Sequence, residues 1–245
     1  AVFWNTDPEM IGPVRSSRHY FLDYAMEHDA IYVHYGWSPM AKSDIPKFGI
    51  NNINGVGYGG EIFWDLTKDL NNWQDSYTSM EKIKKFVEKA KYRTETEKEM
   101  VFTYGRTDGE IKGGQQAEKI SIAYTPDLKS GYEYDRDTKT YKRSRQGKPH
   151  MERVSGKQLE TKNIIVQSVR NYPIPGDTED RQEVDTVGSG DGWYITCGKA
   201  VGIKWSKQSR SEPTIYTYED GSRLVLNPGQ TWVQILPLSG KLEME

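Results

Sequence analysis

A single cysteine, Cys197, among 245 residues rules out an intrachain disulfide and any metal cluster built on cysteine. Histidine is scarce too: four are present, with no H-E-x-x-H and no pair at ligand spacing, so no metal and no cofactor is expected. Long apolar runs are missing. No stretch approaches the roughly 20 residues that a membrane-spanning helix needs, and the first residues lack the basic-then-apolar pattern of a signal peptide. Neither sign of charge prevails. With 33 Lys plus Arg against 35 Asp plus Glu, a net charge of −2 and a pI near 6.2, nothing draws the chain to nucleic acid, and the aromatics are not interleaved with a basic stripe.

What is present is a polar globular composition, 35% hydrophobic and 28% charged, with sixteen tyrosines and seven tryptophans that favour strands. The length suits two ordinary domains, each able to bury a core. The charged, aperiodic TETEKE stretch marks the boundary, giving domains at 1–98 and 99–245. The fold class expected is α+β: a mixed α/β domain first, then a mainly antiparallel β domain.

Reactive side chains of the first half gather in residues 11–39. Ser16 and Ser17 precede an apolar stripe of Phe21, Leu22, Ala25 and Met26, which predicts a short helix capped by one of the serines. Arg15 and Arg18 flank that cap, and free N–H groups beside guanidinium forks suit an anion. The plainer reading pairs both arginines with acids of the same chain. Ala30 to His34 alternates as a strand, with Ile31 and Val33 on one face and Tyr32 and His34 on the other. Ser38-Pro39 then signals a second helix, so His34 sits where a strand meets a helix, a favoured ligand position. Gly55 to Gly60 fits GxGxxG formally, but EIFWDL after it reads as a strand, so a flexible turn or lid is expected. Ser76 or Thr78 is read as the cap of a helix with Met80, Ile83, Phe86 or Val87, and Ala90 on one face and Lys82, Lys85 and Lys89 in solvent.

From Met100 onward short strands and turns follow one another. Asp135 and Asp137 belong to a hairpin turn, since the glycine and glutamate of a calcium loop are missing. Residues 173–185 read as a surface loop. The last third, with its DG and PG turns, reads as an antiparallel meander whose core holds Trp205 and Trp232. Trp193 and Tyr194 could alternatively serve as sugar platforms.

GPVRSSRHYF followed by DAIYVHYGWSP closely resembles the YerB-like lipoproteins of Gram-positive bacteria, a family defined by two domains of unknown function. YEYDRDTKTYKR with GKPH, KNIIVQ, and GSGDGWYITCGKAVGIKWSK through LNPGQTWVQILP extend the resemblance over almost the whole chain. It implies an extracytoplasmic protein anchored to the membrane only through an N-terminal lipidated cysteine upstream of Ala1, absent from this chain, and it implies no activity. Family members carry a further segment before AVFW. The first domain is therefore expected to be incomplete at its start, with a strand at residues 1–4 whose open edge another fragment or molecule covers. Where the family has a His-Asn pair before YTS, this chain reads NNWQDSYTS.

Three functional readings follow. In the first, Arg15, Ser16, Arg18, Tyr32, His34, Trp37 and Ser38 bind an anionic envelope ligand such as a peptidoglycan or teichoic acid fragment, without catalysis. The second is an envelope hydrolase in which His34 serves as base to Ser38, although Ser38 is equally a helix cap and no G-x-S-x-G surrounds it. His150 with Glu152 offers further parts. The third is a scaffold for envelope proteins.

Overall fold

Tyr32-Val33-His34 forms a strand, as its alternation predicts, in the computed structural model, which describes residues 1–67, 75–111 and 113–245. It pairs in parallel with Asn52–Asn54, placing Tyr32 opposite Asn52 and His34 opposite Asn54. Ile31 and Val33 pack with Val14, Ile53, Phe63 and Phe86, while Tyr32 packs on the other side with Leu22, Ala41 and Ile45. The chain divides into two units, Ala1–Glu99 with Arg210–Glu212, and Met100–Ser209 with Pro213–Glu245.

The first unit contains four helices among its described residues: α1 (His19–Glu27), α2 (Pro39–Lys47), α3 (Gly55–Ile62) and α4 (Met80–Ala90). Ser38 caps α2 as expected, its Oγ accepting from Ala41 N at 3.2 Å, with Pro39 in the first turn. Since α2 joins the two parallel strands, the local fold is a β-α-β unit with α3 leaving the second strand directly. Arg210 fixes α1 against α2: Nε meets Asp23 and Nη1 meets Asp44, both at 2.6 Å, while Nη2 donates to the His19 carbonyl at 2.9 Å.

Four local expectations are corrected here. The N-cap of α1 is Arg18, without a side-chain hydrogen bond, and not a serine. Ser17 is held instead by backbone pairing to the segment after the first strand, its N–H donating to Gly36 O and its carbonyl accepting from Ser38 N, each at 2.9 Å. The cap of α4 is Ser79, because Ser76 donates to Asp65 and Thr78 to the Ile62 carbonyl. Gly55 to Gly60 is helical, started by Asn54 accepting from Val56 N at 3.2 Å and kinked at Gly59. Residues 1–4 form no strand, and Val2, Phe3 and Trp4 are exposed. Residues 71–74 of NNWQDSYTS lie outside the described residues. On α4 Phe86 and Val87 are buried with Ile83 and Ala90 packed beside them, and Lys85 and Lys89 are in solvent as read, while Met80 stands outside this cluster and Lys82 is half-buried, donating to Glu61 O at 2.9 Å.

The second unit is built on two six-stranded sheets, each with five strands in line and a sixth beside one of them, Glu160–Thr161 on Thr140–Arg145 and Gln115–Gln116 on Lys199–Lys207. One runs in the order Lys148–Pro149, Thr140–Arg145, Leu128–Asp135, Lys119–Thr125, Lys241–Met244. The other runs Ile215–Tyr218, Lys199–Lys207, Gly188–Thr196, Asn163–Val169, Thr231–Pro237. They pack face to face: Ile120, Ile122, Tyr132 and Tyr141 of the first meet Ile164, Val166, Ile195 and Leu236 of the second. The opposite face of the second sheet is covered as well, with Ile165, Tyr194, Ile203 and Trp205 beneath Leu224, Leu226 and Phe102. The whole is an α+β protein, as its sequence predicts.

The meander holds for the three strands from Gly188 to Tyr218, but Thr231–Pro237 leaves it to pair in parallel with Asn163–Val169. Residues 173–185 are not a plain loop, since Asn171–Pro173 and Gln182–Val184 form a hairpin. Asp135 closes the expected turn, accepting from Asp137 N at 3.0 Å and Thr138 N at 3.2 Å. Tyr194 is no sugar platform. It is 2% exposed, its hydroxyl donating to Asn163 Oδ1 and accepting from Asn227 N, both at 2.9 Å. No described helix is long and apolar enough to cross a membrane. Because Ile164 is fully buried where the two sheets meet, Ile164→Ala is expected to lower the unfolding free energy by about 2–5 kcal/mol, read from urea midpoints.

Candidate functional site

Gly36 follows the first parallel strand with φ +79, and a Cβ there would come within 3.2 Å of Ser16 Oγ, so only glycine lets the Ser16 segment lie this close. That segment continues the pairing, with Tyr35 N donating to Arg15 O at 3.0 Å and Ser17 N to Gly36 O at 2.9 Å. The two strand ends are tied by one side chain: Asn54 Oδ1 accepts from Gly36 N at 3.0 Å and from Val56 N at 3.2 Å. At Gly55 a Cβ would enter the Tyr35 ring, which brings the start of α3 hard against the strand ends. Two helix N-termini, those of α2 and α3, thus open beside the C-terminal ends of two parallel strands, where open α/β sheets hold ligands.

His34 is 1% exposed. Its Nδ1–H donates to the Gly36 carbonyl at 2.8 Å, and Nε2 meets the Asn52 side chain at 3.0 Å. Tyr32 stacks on the ring at 5.1 Å and Trp37 tilts against it at 5.7 Å, with Lys42 over the Trp37 face. Burial pushes the Tyr32 phenol up, while a hydrogen bond to Ser17 and the Arg18 charge pull it back. Arg18 also donates from Nη1 to Ser17 O at 3.1 Å. Ser17, Arg18, Tyr32, His34 and Trp37 are therefore gathered together. Ser16 lies against Gly36, Ser38 caps α2, and Arg15 joins through its backbone and exposes its side chain.

His34 and Ser38 form no nucleophile–base pair: both ring nitrogens are engaged elsewhere, and the Ser38 hydroxyl faces Ala41 N. Sequence reading missed Ser17, Asn52 and Asn54. For the two asparagines the signal was the Asn-Ile-Asn run itself, whose outer residues turn polar side chains to the face that holds His34 and Gly36. Removing the cap by Ser38→Ala should cost about 1 kcal/mol without further structural change, measured by thermal unfolding.

In the second unit, His150 and Glu152 do not act on each other. Glu152 accepts from Val154 N at 2.8 Å and Ser155 N at 2.6 Å, which holds its carboxyl down to about 2 and makes it a turn clamp. His150 takes a hydrogen bond from Arg143. Burial, then the charges of Arg143 and Arg145, lower its pKa. Because the folded state disfavours the proton that the unfolded chain accepts near pH 6.5, stability is fully present above that pH and falls as the pH drops through it. Urea midpoints from pH 8 to pH 5 should therefore decline less steeply in His150→Asn than in the unaltered protein; equal slopes would show that His150 titrates alike in both states.

Residues 1–93 match the N-terminal domain of the protein of unknown function DUF3048, and residues 120–233 match its C-terminal domain. Over 242 residues the chain is 31% identical to "Putative lipoprotein YerB" of Bacillus subtilis, spanning 97% of this chain and 70% of that protein. The chain belongs to the DUF3048 family. The crystal structure of Bacillus subtilis YerB superposes with a TM-score of 0.84 at 28% identity, covering 99% of this chain and 80% of that one. Both DUF3048 domains are described as of unknown function, so the family supplies an architecture and leaves the chemistry to the residues.

Proposed function

We propose that this DUF3048 protein is, in its full-length form, an extracytoplasmic lipoprotein that binds an anionic group of a cell-envelope ligand, such as a peptidoglycan or teichoic acid fragment. One observation carries the reading: two helix N-termini open side by side at the C-terminal ends of Tyr32–His34 and Asn52–Asn54, with Arg15 and Arg18 on the segment paired alongside. Gly57, Gly59 and Gly60 leave open space where side chains would stand, so a ligand can approach the α3 backbone. Trp37, 37% exposed and tilted against His34, supplies an apolar wall for an uncharged portion. In this reading Arg15, Arg18 and Ser16 meet the anion, His34 and Tyr32 hold Trp37 in place, and Ser38 orients α2. The lipid anchor and location are supported by the name of the Bacillus subtilis relative, a lipoprotein. Hydrolysis is the weaker alternative because His34 and Ser38 are turned to other partners.

Calorimetric titration with glycerol-phosphate oligomers and with muropeptides bearing free stem carboxylates tests the proposal. Binding of either is expected to weaken about tenfold in Arg15→Ala or Arg18→Ala, the size of one charge-assisted contact. No heat with either ligand, or affinity untouched in both variants, would overturn it.

A further inference from the structure

Arg143 lies on the inward face of Thr140–Arg145 and is only 7% exposed. A buried guanidinium ordinarily faces a carboxylate, because an uncompensated charge in a low-dielectric interior is costly. Here its partners are neutral. Nε donates to Tyr132 Oη at 3.3 Å, Nη2 to Ser130 Oγ at 2.9 Å and Nη1 to His150 Nδ1, and the guanidinium lies 4.4 Å from the centre of the Trp232 ring. Among the described residues no acid stands within ion-pair distance of it.

The cluster has a surplus of donors. A guanidinium carries five N–H groups, and three are used. Tyr132 Oη accepts from both Arg143 and Gln234, while Gln234 takes the Tyr124 hydroxyl on its other end, so the Tyr132 hydrogen is left over. Arg145 adds a second positive charge near His150. His150 and Trp232 are only partly buried, which makes their side of the cluster the way in.

We propose that Arg143, Tyr132, His150 and Trp232 form a binding site for a small monocarboxylate, separate from the anion site of the first unit. One carboxylate neutralises the one buried charge and takes the remaining Arg143 N–H groups and the Tyr132 O–H. A phosphate dianion would replace an unmatched positive charge with an unmatched negative one. Trp232 offers its apolar ring to a short aliphatic remainder. A purely structural arginine, content with its neutral partners and the Trp232 face, predicts no response to carboxylates.

The test uses the full chain labelled with nitrogen-15, titrated with sodium propionate, sodium phosphate or sodium chloride at constant ionic strength and pH 7.5. Arg143 Nε–H and Trp232 indole N–H signals are followed. Propionate alone should shift both saturably, Arg143→Met should abolish the shift at Trp232, and Tyr132→Phe should weaken binding about tenfold. Should Arg143→Met fail to fold, Tyr132→Phe decides, since it removes one hydroxyl and keeps the guanidinium. Absence of saturation, an equal response to phosphate or chloride, or unchanged affinity in Tyr132→Phe overturns the proposal.

Discussion

Burial of Asn163–Val169 on both faces sets the arrangement of the second unit, because a strand without a solvent side requires a layer above and a layer below. Ile164 and Val166 turn to the first sheet, while Ile165 and Val169 turn to the opposite layer. Two buried polar side chains then fix its register. Asn163 donates to Asn227 O at 2.8 Å and accepts from Tyr194, and Gln167 accepts from Tyr216 at 2.7 Å. A slip by one residue would exchange the two faces and strand both amides in apolar surroundings.

The first unit solves a different problem. Its parallel strands are three residues each, too short for ladder hydrogen bonds alone to hold them. Side chains do the rest: Asn54 joins the strand ends, Asn52 meets His34, and Tyr92 donates its hydroxyl to Asn52 O at 3.1 Å. The buried histidine is thus part of a clamp that also sets the backbone at the two strand ends.

Features carried by a local pattern were legible in the sequence. Ser38-Pro39 announced α2, and the 3.6-residue repeat gave the face of α4. What escaped depended on partners distant in the chain. Ser17 could not cap α1 because Gly36 and Ser38 claimed its backbone; the glycines of α3 form a helix because Asn54 starts it and Tyr35 excludes anything larger at Gly55. Of the site, His34, Tyr32 and Trp37 were visible as neighbours of one strand, whereas Asn52 and Asn54 acquire meaning only through parallel pairing. Arg143 hid in a run of alternating basic residues, where nothing local tells which one turns inward.

Thr231–Pro237 closes against Asn163–Val169 on one sheet, and a tight turn later Lys241–Met244 closes against Lys119–Thr125 on the other. One continuous run therefore seals an edge of each sheet. Both pairings join segments far apart in sequence, so loop-closure entropy must be met late and for both at once. During synthesis, the apolar strands made earlier stay without these neighbours until residues 231–244 emerge. A nascent chain in that interval presents two unpaired edges, the kind of surface that holding chaperones recognise and that other strands join.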